Sequence, residues 1–205
     1  MESFFTYLDK GGLIFSFLFI LSIITITIIT FKFLEIYIFQ NLDFSKVISL
    51  IDNSNKQISI EEINEHHLDL APSAKRNFFK EILVVFLNNK SVNEIEAEIN
   101  SIVDSEFSKR QSLLPSLEII SQVSPLIGLL GTVIGMIDSF NELELGGSLV
   151  DPSILAGGIW TALLTTAMGL IVAIPALVSH YFLEKKIANY YTNIDQLLRK
   201  LMAIK

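Results

Sequence analysis

The sequence predicts an all-α membrane protein with three transmembrane helices, two of them long and continuing into a cytoplasmic helical region. Three observations carry this reading. Hydrophobic residues make up 51% of the 205 residues and charged residues only 18%, with a mean hydropathy of +0.52, outside the ordinary soluble range. The apolar residues concentrate in three runs, 11–31, 119–143 and 154–183, each long enough to cross a hydrocarbon core of about 30 Å. The second and third runs, SPLIGLLGTVIGMIDSF and IWTALLTTAMGLIVAIPALVSHYF, place glycine, threonine and proline where a lipid-facing helix would be uniformly bulky. Such a stripe implies a partner packed against it or a lumen beside it.

The elements follow in order. Residues 1–10 read as an external amphipathic N-terminus, and 11–40 as the first transmembrane helix with its extension. That run lacks a basic n-region, is too long for a signal h-region and offers no small-x-small cleavage site, so it reads as a retained span. Residues 41–118 form the cytoplasmic helical region. Within it, 52–57 reads as a turn, and Ala71-Pro72-Ser73 as a break followed by a helix start. Ser91 and Glu94 have capping-box spacing, after which Val92, Ile95, Ile99 and Ile102 recur at helical intervals. This helix is expected to run on through Pro115 into the second span, 119–143, as one rod of about 75 Å. After an external turn, 144–151, Asp151 as N-cap and Pro152 at the first helical position open the third span, 152–183. In the C-terminal helix, 184–205, Ile187, Tyr191, Ile194, Leu198 and Leu201 keep an apolar stripe for the 92–107 helix or a neighbouring subunit.

Orientation follows from the fifteen Lys and Arg residues. Lys10 alone precedes the first span, and the second turn holds Glu142, Glu144 and Asp151 with no basic residue. The rest lie between Lys32 and Arg110 or between Lys185 and Lys205. The positive-inside rule therefore places the N-terminus and the 144–151 turn outside, and the middle region and tail in the cytoplasm.

On the second span Ser121, Ser124, Gly128, Gly131, Gly135, Asp138 and Glu142 alternate steps of three and four and share one seam, with Thr132 on its edge. Gly158, Ala162, Thr166, Gly169, Ala173, Ala176 and His180 do the same on the third span, flanked by Thr161 and Thr165. Each glycine or alanine taken singly reads as a packing residue. The threonines have two readings. A hydroxyl in a helix bonds its own i−4 carbonyl at little cost, and a group of hydroxyls at mid-membrane depth also holds water along a narrow path. Pro125 and Pro175 are expected to kink or locally open their helices. Asp138, at the outer mouth, either gathers protons or anchors a helix end in water. His180, near the inner end, either senses cytoplasmic pH or, as such histidines more often do, serves as an amphipathic interfacial anchor.

These two segments, GLLGTVIGMIDSF and ALLTTAMGLIVAIPA, resemble the core of the MotA/TolQ/ExbB proton channel family, and ExbB and TolQ more than the four-span MotA. The likeness covers residues 124–183 and, through topology and tail, the whole chain. In the ExbB and TolQ pattern a threonine in the GTV segment and another in the ALxxTAxGL segment line the pore. The matching positions are Thr132 and Thr166, with Thr165 and Thr161 beside them. The family pattern carries a glutamate where this chain has Thr161, which removes the acid expected in the third span. The resemblance implies a homopentamer in the bacterial inner membrane around two copies of a single-span ExbD/TolR-like protein, whose intramembrane aspartate carries the proton. Import energisation or envelope maintenance would be the work done.

Other classes fit less well. A net charge of −7 disfavours nucleic acid, and without cysteine there is neither disulfide nor thiolate chemistry. His66 and His67 beside Glu61, Glu62 and Glu65 point to different faces of a helix and read as solvated surface, so no metal or cofactor is expected. The glycines of GLLGTVIG lack the lysine and preceding strand of a phosphate loop. No nucleophile, base and orienting group occur together, which argues against an enzyme. The competing reading is a non-conducting oligomeric scaffold that anchors a partner protein.

Overall fold

The computed structural model describes residues 2–39, 78, 81, 82, 84–86, 91–146 and 152–204. The expected turn at 52–57, the break at 71–73 and the His66–His67 group lie outside them, as does most of the 144–151 turn. Among the described residues the long helices are α1 (Glu2–Phe39), α2 (Val92–Gln111), α3 (Leu114–Gly146) and α4 (Pro152–Ile204). No strand occurs among the described residues. Three helical stretches, Gly12–Ile36, Val92–Leu145 and Leu155–Lys200, are long and apolar enough to cross a membrane, and the protein is an all-α membrane protein.

Local chemistry sets the helix limits. In α1 the helix is broken at Gly12, whose φ of 64° is a left-handed conformation open to glycine at no steric cost. Beyond it, Ser16, Thr25, Thr27 and Thr30 return their hydroxyls to the carbonyls four residues back, so none leaves a bare polar group in an apolar setting. At the start of α2 the Glu94 carboxylate accepts from both the Ser91 amide (3.0 Å) and the Ser91 hydroxyl (2.8 Å). The single rod expected from residue 92 to 143 is interrupted. Helix α2 stops at Gln111, the chain turns at Ser112 and Leu113, and Leu113 takes a φ of 71°. Pro115 explains the stop, since it has no amide to give the Gln111 carbonyl and its ring occupies that carbonyl's space. At Pro125 and Pro175 the helices continue without a break.

The chain divides into two units, one of Met1–Phe31 with Leu113–Phe182 and one of Lys32–Ser112 with Leu183–Lys205. In the second unit Ile95, Ile99 and Val103 of α2 bury against Ile194, Leu197 and Leu198 of α4, together with Phe78, Ile82 and Val85. Ile194, Leu198 and Tyr191 of the tail stripe therefore meet the α2 face of their own chain, and Phe107 and Tyr191 bring their rings to 4.6 Å. Lys32 is 1% exposed. Its ammonium donates to Glu35 Oε2 at 2.8 Å and to the Arg110 carbonyl at 3.1 Å, placing a positive charge at the negative end of α2. Arg110 donates to Glu106 at 2.7 Å and lies 4.6 Å above the Tyr190 ring.

Candidate functional site

Within the first unit the seams of α3 and α4 meet each other. A methyl group added to Gly169 would stand 2.6 Å from the Ser124 carbonyl oxygen, and one on Gly128 would stand 2.9 Å from the Thr165 carbonyl oxygen. One on Gly131 would meet the Thr165 side chain at 2.5 Å, one on Gly135 would lie 3.2 Å from the Ala162 methyl, and one on Gly158 would strike Ser139. Contact positions fall along α4 as they rise along α3, the signature of an antiparallel hairpin. The sequence implied a partner or a lumen beside each seam, and the partner is the other helix of the same chain. Bulky residues are displaced to the outside, with Leu126, Leu129, Val133 and Ile137 on α3 and Leu163, Leu170, Ile174 and Val178 on α4 exposed.

Close packing brings two of the four expected threonines together. Thr165 is buried, and its hydroxyl lies 2.7 Å from the Ala162 carbonyl and 3.2 Å from the Gly128 carbonyl. Thr166, partly buried, points its hydroxyl at the same Gly128 carbonyl, also at 3.2 Å. Thr132 sits one turn further along α3, with its hydroxyl on the Leu129 carbonyl at 2.7 Å. It lines an open hollow with Val133, Met136, Ile137, Phe140 and Asn141. Thr161 is half-buried and bonds the Gly157 carbonyl at 3.1 Å.

Asp138 is exposed on α3. No Asp, Glu, Lys or Arg occurs from Ile119 to Ile137, or from Pro152 to Leu183. Both ring nitrogens of His180 are buried and have no hydrogen-bond partner among the described residues. Two polar positions that sequence reasoning missed, Ser139 and Lys32, are now explained, together with Ser124, which it had placed on the seam. Ser124 and Ser139 are buried with hydroxyls on the Ile120 and Gly135 carbonyls, and both belong to the hairpin contact. Their small size at seam spacing was the available signal. Lys32 had none, since its bond to Arg110 spans a long sequence separation. No group of three His, Cys, Asp or Glu able to hold a metal occurs among the described residues.

Comparison with known proteins extends this picture. The biopolymer transport protein exbB1 of Vibrio cholerae is 34% identical over 118 residues, covering 58% of this chain and 50% of that protein. The Tol-Pal system protein TolQ of Pseudomonas aeruginosa is 36% identical over 98 residues, covering 46% of this chain and 42% of its own. The biopolymer transport protein ExbB of Salmonella typhimurium is 25% identical over 179 residues, 78% of this chain and 73% of that one. The chain thus spans half or less of the length of the Vibrio and Pseudomonas relatives. The pattern of the MotA/TolQ/ExbB proton channel family matches residues 70–196, a stretch that holds α3, the third span and most of the 205 residues. The chain belongs to the MotA/TolQ/ExbB proton channel family.

Proposed function

We propose that this protein is the ring-forming subunit of a motor in the bacterial inner membrane, driven by the proton-motive force. With an ExbD/TolR-like single-span partner it couples proton flow to mechanical work on the cell envelope. The observation that supports this reading is a pair of threonine hydroxyls in spans without a central acid. The Thr132 and Thr166 hydroxyls, from facing helices, bond the consecutive Leu129 and Gly128 carbonyls of α3, while residues 119–137 and 152–183 hold no Asp or Glu. A proton acceptor at mid-depth must come from another chain, and its neutral form passes an apolar wall at far lower cost than its charged form. Each proton entering along the potential supplies about 2.3 kcal/mol per 100 mV. A homopentamer around two partner copies cannot match symmetry, so each protonation favours a new rotational pairing. The proposed arrangement keeps the N-terminus and the 144–151 turn outside, and residues 41–118 and 184–205 in the cytoplasm. The second and third spans line the lumen, the first faces lipid, and Asp138 stands at the outer mouth.

The scaffold reading has one observation in its favour. The seams are already filled within the chain, and the hydroxyls of Thr132, Thr161, Thr165 and Thr166 each have an acceptor. Proton flux into proteoliposomes separates the two readings. With the partner present, Thr132→Val and Thr166→Val should leave assembly intact and reduce flux, and the ring alone should conduct little. Thr161→Glu should be tolerated or stimulatory. Undiminished flux in the double valine variant, or full flux without the partner, would sink the proton-path reading. No flux under any condition, with stable complexes, would favour the scaffold.

A further inference from the structure

We propose that Thr165 is a positioning residue for Thr166: the two hydroxyls share the Gly128 carbonyl, and Thr165 takes it over when Thr166 turns toward a partner-borne carboxylate. This inference rests on the proton-path reading above. It starts from a donor count. Each hydroxyl has one proton, yet Thr165 lies within reach of two acceptors, Ala162 O at 2.7 Å and Gly128 O at 3.2 Å. Thr166 lies 3.2 Å from Gly128 O. In a regular α3 that carbonyl already accepts the Thr132 amide, which leaves one lone pair for the two hydroxyls.

Of the arrangements that satisfy the count, two differ in whether the Thr166 proton can reach an outside acceptor. In the first, Thr165 donates to Ala162 and Thr166 to Gly128. In the second, Thr165 donates to Gly128 and the Thr166 proton is free for an outside acceptor. Ala162 O is also the i−4 carbonyl of Thr166, its ordinary acceptor in a helix. In the resting arrangement Thr165 occupies it and holds Thr166 on the cross-helix bond. Thr165 is buried against Gly131 and only Thr166 keeps an exposed side, so the first never touches the carboxylate and acts through the second.

Replacing Thr165 by Val keeps the volume and removes the exchange. Gly128 then has no replacement donor, and both in-chain acceptors stay open to Thr166, which holds its proton inward. With the partner present, Thr165→Val should lower proton flux about fivefold, the rate equivalent of one lost neutral hydrogen bond. It should also move the midpoint of the flux–pH profile upward, since a carboxylate that loses a donor ionises less readily. Thr165→Ser should behave as the wild type in both readouts. Ring yield is measured for each variant, and Thr165→Ala replaces Thr165→Val if the latter assembles poorly.

Thr166→Val is the control that separates failures. If it leaves flux unchanged, the proton-path reading fails and takes the exchange with it. If it lowers flux while Thr165→Val changes neither flux nor midpoint, the exchange alone is overturned. Equal losses in Thr165→Ser and Thr165→Val would assign Thr165 to packing and overturn it as well.

Discussion

Glycine does different work at neighbouring positions of this hairpin, and the distances say which substitutions matter. At Gly169 and Gly128 an added methyl would meet backbone oxygens at 2.6 and 2.9 Å, and backbone yields only if the helices separate. At Gly135 the neighbour is a methyl at 3.2 Å, and at Gly157 nothing lies within 4 Å. Gly169→Ala and Gly128→Ala should therefore each cost about 1 to 3 kcal/mol, the usual range for overpacking. Gly135→Ala should cost less, and Gly157→Ala should be neutral. Thermal unfolding in detergent, followed by circular dichroism, would order them. Equal midpoints for Gly169→Ala and Gly157→Ala would contradict the hairpin contact.

Among the elements, the ends of α2 and the tail of α4 carry the polar chemistry outside the spans. Lys32→Met keeps the apolar stem but strips the ammonium from the Arg110 carbonyl and from Glu35. A loss of about 1.5 to 3 kcal/mol is expected, the range for hydrogen bonds to charged groups, and chemical denaturation would register it. Burial pushes the Tyr190 phenol above its ordinary value of 10.0; the nearby Arg110 charge opposes this and Glu106 reinforces it. The folded form thus holds this proton more tightly than the unfolded form does. The resulting stability is complete below pH 10 and is lost as pH rises from about 10 through the higher folded value. Tyr190→Phe should flatten the decline in stability above pH 10. An unchanged alkaline slope in that variant would remove Tyr190 from the account.

On the scale of the whole molecule, the seams are satisfied inside the chain and the outward faces of α1, α3 and α4 are broadly apolar. The proposed ring would therefore have to assemble through those outer faces, by close packing and not through unfilled glycine grooves. Native mass spectrometry should find a pentamer, and a stable monomer would end the ring proposal. The absence of cysteine makes the proposed orientation simple to test. Glu144→Cys should react with an impermeant maleimide from outside intact cells, and Lys200→Cys only after the membrane is opened. The reverse pattern would invert the assignment.

The sequence by itself determined what repeats locally. Apolar run length marked the spans, the Ser91–Glu94 spacing marked the start of α2, and small residues at steps of three and four marked the two seams. These are properties of one helix, and helix geometry converts spacing into a face without knowledge of the neighbour. The tail stripe was legible for the same reason, although its partner was left as either α2 or another subunit. Tertiary structure alone decided what each face meets. It closed the seams on each other, buried Thr165 and left Thr166 partly open on a shared carbonyl, and sent Lys32 to the end of α2. Such outcomes depend on contacts between residues tens of positions apart, and no local spacing encodes which of two adjacent hydroxyls faces in and which faces out.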